Sequence, residues 1–178
     1  MKDYLRGIGV KIPITGSNWS RNIALLPALQ VADATDSHSY WDHPSGGKFN
    51  NRPMVSSETN VFRSLSFNRS LGKPFFVSEW DQPWPNEWRA EHALAMAAVA
   101  AFQGWNGLAV YTYRHSTGTP VEILSGSFET FNDPSRFGLF YHAALIFRRG
   151  DVKPANKTVV VNIAGEDVFK SPNHSAWS

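Results

Sequence analysis

The residues whose types could do chemistry stand at the ends of apolar runs. Glu79 closes Lys73-Pro74-Phe75-Phe76-Val77-Ser78-Glu79-Trp80, a pattern that predicts a short buried strand ending on a carboxylate and an indole. Period-two alternation places Phe75, Val77 and Glu79 on one face and Phe76, Ser78 and Trp80 on the other. An ionised carboxylate buried without a partner costs several kcal/mol. Glu79 is therefore expected at the open end of its strand, beside groups that hold its charge; the plain alternative is a glutamate reaching water. In a second run, residues 31–40, one face carries Ala32, Ala34, Asp36, His38 and Tyr40, small at its start and polar at its end. Asn18 and Trp19 follow a third run, and Tyr113 and Arg114 end a fourth. Asp36, His38, His43 and Glu79 are oxygen and imidazole donors of the kind zinc accepts. Most of them come from one strand and its loop, however, whereas a metal site draws ligands from several strands.

The elements that must position these residues follow in order. Residues 2–7 read as the last turn of a helix closed by Gly7, so the chain is expected to start mid-fold. Residues 10–15 predict a strand, and Ser20 an N-cap for a helix over 21–30 that Pro27 shortens or kinks. The 31–40 strand leads into a long loop, 42–57, of a length that suits function. A helix is expected over 58–71, then the Glu79 strand, then a rigid loop containing Trp84. Asn86 is expected to cap an Ala-rich helix over 87–103. Residues 107–113 predict a fourth strand, and Asp133-Pro134 opens a helix through Phe147. A strand-like run at 158–163 reads as the start of an accessory β domain, so the domains are expected to divide as 1–150 and 151–178.

Strand and helix thus alternate four times, with crossovers long enough for parallel pairing. That leaves a doubly wound sheet or part of an eight-fold barrel. No glycine-rich phosphate loop follows any strand, which removes support for a nucleotide fold. The unusual polar residues all fall at C-terminal strand ends, where a barrel places its chemistry.

Composition narrows the function classes. In 178 residues, 42% are hydrophobic and 18% charged, enough apolar material for one core. Net charge is +2 with no basic cluster beyond Arg148-Arg149, which speaks against nucleic acid as partner. The absence of cysteine excludes disulfides and thiolate metal sites. No apolar run is long enough for a membrane span. Seven tryptophans suit a cleft for carbohydrate or another flat ligand, although large cores use Trp too.

Four of these pieces together resemble the C-terminal half, strands five to eight, of a clan A retaining glycoside hydrolase, the cellulase and β-galactosidase type of (β/α)8 (TIM) barrel. Ile14-Thr15-Gly16-Ser17-Asn18-Trp19 is similar to the end of the fifth strand, and Asp36-Ser37-His38-Ser39-Tyr40 to the His-x-Tyr of the sixth. Residues 74–80 resemble the seventh, whose terminal Glu is that family's nucleophile, and residues 108–113 the eighth. The resemblance implies a catalytic fragment that hydrolyses O-glycosidic bonds in poly- or oligosaccharides without a cofactor. Glu79 would be nucleophile, Tyr40 would donate its phenol to it, and His38 would bond the sugar or the nucleophile. Trp80, Trp84 and Tyr113 would stack on sugar faces, with Asn18, Trp19 and Arg114 as further contacts. The family's acid/base Glu follows an Asn at a strand end; here Asn86-Glu87 is the one such dipeptide and opens a helix. The acid is therefore expected to be missing from this chain. The resemblance also implies a missing N-terminal half, or a homodimer that completes the barrel, and a parent protein of secreted or periplasmic type. A carbohydrate-binding barrel without turnover is the non-enzymatic alternative.

Overall fold

The structure is a computed structural model and describes residues 1–18, 25–118, 120, 122, 124, 126–163 and 165. Its centre is a parallel sheet of three strands in the order β1-β2-β3: Thr35–Tyr40, Phe75–Asp81 and Gly107–Val110. Parallel neighbours need a crossover, and each here contains a helix. Helix α3 (Val61–Asn68) links β1 to β2, and α4 (His92–Gln103) links β2 to β3. Helix α1 (Lys2–Gly7) and the short α2 (Leu26–Gln30) precede the sheet, and α5 (Phe137–Leu145) follows it. The α5 helix runs on into a π-helical turn, Ile146–Gly150.

The apolar run of β2 makes it the middle strand. Phe75, Val77 and Trp80 pack against Val61 and Leu65 of α3, Ala93, Met96, Ala97 and Ala100 of α4, Trp105, and Ala143 of α5. Burying a side chain of the Phe, Val, Leu or Met class contributes about 1.5–3 kcal/mol, so this single layer carries much of the stability. The alanines of α4 let it lie close on the sheet, and Gly104, at φ 65°, supplies the left-handed turn that ends the helix. On β3, Gly107 lies under the Phe76 ring; a Cβ there would stand 2.1 Å from it. Among the described residues the helices thus cover one face of the sheet, and the opposite face carries Phe76 with Asp36, His38 and Tyr40 of β1.

Several elements are shorter than the sequence predicts. The 10–15 strand reduces to one parallel bridge, Thr15 to Ala34, with two further backbone bonds along β1, Asp33 N–H to Ile14 O and His38 N–H to Asn18 O. Pro13 has no N–H to offer, Ile12 is 71% exposed, and the carbonyls of Val10 and Ile12 accept from Arg6. Asp33 binds both Lys2 and Arg6, which ties α1 to the start of β1. The bond from Lys2, with the Ile14 N–H and the two cations, holds the Asp33 carboxyl below its usual range. Ser20 and Trp19 lie outside the described residues, and Pro27 falls in the first turn of α2. The expected strand over 31–40 begins at Thr35, after a turn, and the fourth strand ends at Val110. Asn86 does not cap α4: it is fully buried and bonds Trp88 N–H, Gln82, Asp42 and Arg52, with a 3₁₀ turn (Arg89–Glu91) before the helix. Residues 158–163 form no strand.

Candidate active site

Alternation along β2 breaks at Ser78. Ser37 pairs with Val77 but His38 pairs with Glu79, so Ser78 is an extra residue, a bulge in the parallel ladder. Glu79 therefore leaves the face of Phe75 and Val77, where strict alternation would place it, and Trp80 takes that face instead. Ser78 and Glu79 both meet the polar face of β1. This is how an apolar strand presents an acid without burying it in its own core.

Tyr40 Oη donates to Glu79 Oε2 at 2.6 Å, and His38 Nδ1 stands 3.2 Å from the same oxygen. His38 Nε2 lies 3.0 Å from Ser78 Oγ, which donates to Asp36 Oδ2 at 2.8 Å; Asp36 Oδ1 accepts the Ser78 N–H. Hydrogen bonds thus join Asp36, Ser78 and His38 Nε2, while His38 Nδ1 faces Glu79 at ion-pair distance. Glu79 keeps a third of its side chain exposed, and its Oε1 has no protein donor among the described residues. Burial, followed by the bond to Glu79 and the Glu79 charge, pushes the Tyr40 phenol far above its ordinary range. Tyr40 is accordingly a permanent hydrogen-bond donor to Glu79.

The site has an aromatic wall. The Tyr40 ring meets Phe128 at 5.4 Å and His43 at 5.2 Å edge-on, and Tyr111 lies 6.5 Å away. Tyr111 also packs on Phe128 and His115. The loop after β1 is pinned by Asp42, at φ 54°, which accepts from Asn50 N–H, Asn51 N–H and Asn86. Burial alone would raise the Asp42 carboxyl, but the bonds from Asn50, Asn86 and Asn51 outweigh it and hold the group below its usual range.

Two residues beyond Glu79, Asp81 anchors a buried ionic network. Its Oδ2 accepts from Arg136 Nη1 at 2.7 Å, and His92 Nε2 lies 3.0 Å from Oδ1. Arg136, 1% exposed, also binds Asp133 Oδ2 and the Glu129 carbonyl, and Arg89 joins Asp133 at 2.7 Å. Glu129 Oε1 in turn accepts the N–H groups of His115 and Ser116. The network clamps the end of β2 to α4 and to the loops that carry Phe128 and His115.

The structure brings Glu79, Tyr40 and His38 together. Asn18 reaches the site through its backbone, whose carbonyl accepts the His38 N–H. Trp80 is buried and stacks on His92 at 4.1 Å, with no face left for a ligand. Tyr113 packs on Phe131 and Phe137, and Arg114 folds over Phe131 onto its own loop. Tyr111 stands beside Tyr40, in the place that the resemblance assigned to Tyr113. Trp84 is half-buried and held by its backbone to Ser127 O; Trp19 lies outside the described residues. Among the described residues no three His, Asp or Glu side chains are grouped to hold a metal ion. No helix among them is long and apolar enough to cross a membrane. A groove of about 690 Å³ lies at the other ends of the strands, between residues 154–163 and the last turns of α3 and α4, away from this chemistry.

Comparison with family models, with curated proteins and with solved structures finds no match for this chain. Sequence reading missed Ser78 as a contact, Tyr111, Phe128 and the Asp81 network. For Tyr111 a signal existed, since Gly107, Ala109 and Tyr111 alternate on one face.

Proposed function

We propose that this chain carries the nucleophile of a retaining glycoside hydrolase, on a parallel α/β unit equivalent to strands five to eight of a (β/α)8 barrel. One observation carries the reading. Glu79, at the C-terminal end of a parallel strand, has Oε2 held by Tyr40 and faced by His38 while Oε1 meets no protein donor among the described residues. In this mechanism Oε1 attacks the anomeric carbon, and the bond from that carbon to the leaving oxygen breaks. The leaving oxygen takes the bonding electrons and a proton from a second carboxyl, and water later cleaves the glycosyl ester. The barrel part rests on the side-by-side order of the Thr15 bridge, β1, β2 and β3, and on helices covering one sheet face alone.

Retaining chemistry uses two carboxyls about 5–5.5 Å apart. The other buried acids are engaged elsewhere: Asp36 with Ser78, Asp81 with Arg136, Asp133 with Arg89, Glu129 with backbone N–H groups. A single free carboxyl at the site among the described residues favours, as second reading, a barrel that binds carbohydrate without turnover. Glu79→Gln separates the two when assayed with an aryl glycoside whose leaving group needs no protonation, alongside calorimetric sugar binding. The hydrolase reading expects slow turnover that the substitution abolishes while binding survives. Binding with no turnover by the wild type would favour the second reading. Glycosides with poor leaving groups are expected to be spared, because the acid contributes about 10²–10⁴-fold.

A further inference from the structure

We propose that residues 158–163 are a strand-pairing surface whose partner is the same segment of a second copy of this chain, aligned antiparallel. The run is Thr158-Val159-Val160-Val161-Asn162-Ile163, rich in strand-forming residues and without charge, glycine or proline. From Lys157 to Ile163 the chain continues without helix, turn or bend. The bond from Ala155 N–H to Phe102 O ties this end of the chain to α4. Beyond it, no backbone N–H or C=O of residues 157–163 meets a partner among the described residues. Val159 is 90% exposed, with Val160 at 46% and Val161 at 55%. Open backbone groups beside exposed valines are a template for another strand. The same residues wall the groove of about 690 Å³, where Leu71 and Phe102 also stand exposed. A partner strand would cover that apolar surface as well.

The charges around the run select a second copy. Lys153 and Lys157 precede it, and Glu166-Asp167 follow it in sequence. Antiparallel alignment of two copies sets opposite charges against each other at both ends, whereas parallel alignment sets like against like. Alternation puts Val159, Val161 and Ile163 on one face and Thr158, Val160 and Asn162 on the other. In the register that sets Val161 opposite its counterpart, each Val159 faces an Ile163, and the first face is apolar along the whole run. A shift of two residues one way sets Lys157 opposite Ile163, and the other way sets Val159 opposite Gly165. The contact is two-fold, so each favourable pair off the axis occurs twice. It lies at the other ends of the strands from Glu79 and does not rest on the hydrolase reading.

The chain has no cysteine, so single cysteines report the contact. Residues 158–163 take no part in the buried core, and substitutions there leave the fold in place. With Val161→Cys the two Cβ atoms lie about 4.5–5.5 Å apart in this register, close enough for a disulfide after a small shift. With Val159→Cys they are four strand residues apart, roughly 13 Å. Under a mild oxidant at micromolar concentration, Val161→Cys is expected to become a disulfide-linked dimer. Val159→Cys, at the more exposed position, is expected to remain single chains. Adding Val159→Asp to Val161→Cys sets a charge opposite Ile163 and is expected to abolish the cross-link, while leaving random collision possible. Cross-linking at 159 as readily as at 161, cross-linking at neither, or a cross-link that survives Val159→Asp would overturn the inference. No readout here requires turnover, so loss of the hydrolase reading would leave these results as they are.

Discussion

At the level of single residues, the account turns on one carboxylate and the donors it has acquired. Glu79 was legible in the sequence because an apolar run cannot end on an acid without something to hold the charge, and Tyr40 and His38 were legible as polar groups at a neighbouring strand end. Tyr40 yields a prediction in alkali. Its phenol ionises far above the ordinary value near 10, first because it is buried and then because it binds Glu79. A phenol raised in this way stabilises the fold fully below the unfolded value, and that contribution fades as pH climbs towards the folded one. Of the five tyrosines, Tyr40 should add nothing to the tyrosinate absorbance until the chain unfolds, and Tyr40→Phe should leave the folded-state titration curve unchanged. Loss of a tyrosinate step in that variant, before unfolding, would contradict the hydrogen bond. What alternation could not supply was Ser78, because a period of two has no place for a bulge.

At the level of elements, the strands were readable from their apolar runs but their lengths were not. Residues 10–15 have the composition of a strand, yet Pro13 and the demand of Arg6 for two carbonyls leave one bridge of it. The ionic network at the end of β2 left no trace in local sequence, since Arg136 and Asp81 are 55 positions apart. It is also where one change should do most harm. Arg136→Leu removes one partner from each of two carboxylates that have no exposure of their own, and breaking a buried pair from one side costs about 3–5 kcal/mol. Urea unfolding should show a loss of that order with an unchanged dependence on denaturant. A loss under about 1 kcal/mol would mean that Asp81 and Asp133 find other partners on relaxation.

At the level of the whole molecule, the helices among the described residues cover one face of the sheet, and its edges carry only the Thr15 bridge and scattered backbone bonds beside β1 and beyond β3. Parallel sheets are normally buried on both faces, and exposed edges invite pairing. Large apolar side chains stand exposed on either flank: Tyr4, Ile8 and Ile12 ahead of β1, and Tyr113, Phe137 and Tyr141 beyond β3. The half-barrel proposal reads these flanks as surfaces that a second copy, or an upstream half, would cover. Light scattering on the purified chain should therefore report association at micromolar concentration. A stable monomer with cooperative unfolding would point to a self-sufficient α/β sheet.

The central claim is that Glu79 forms a bond to sugar carbon, and covalent trapping tests it most directly. An activated fluoro-glycoside, whose departing group needs no acid and whose fluorine slows release of the glycosyl ester, is incubated with the chain, which is then digested and mapped by mass. The account predicts one added glycosyl group, on the peptide containing Glu79 and absent from Glu79→Gln. Labelling at another residue, or none from a folded chain shown to bind the sugar, would contradict it.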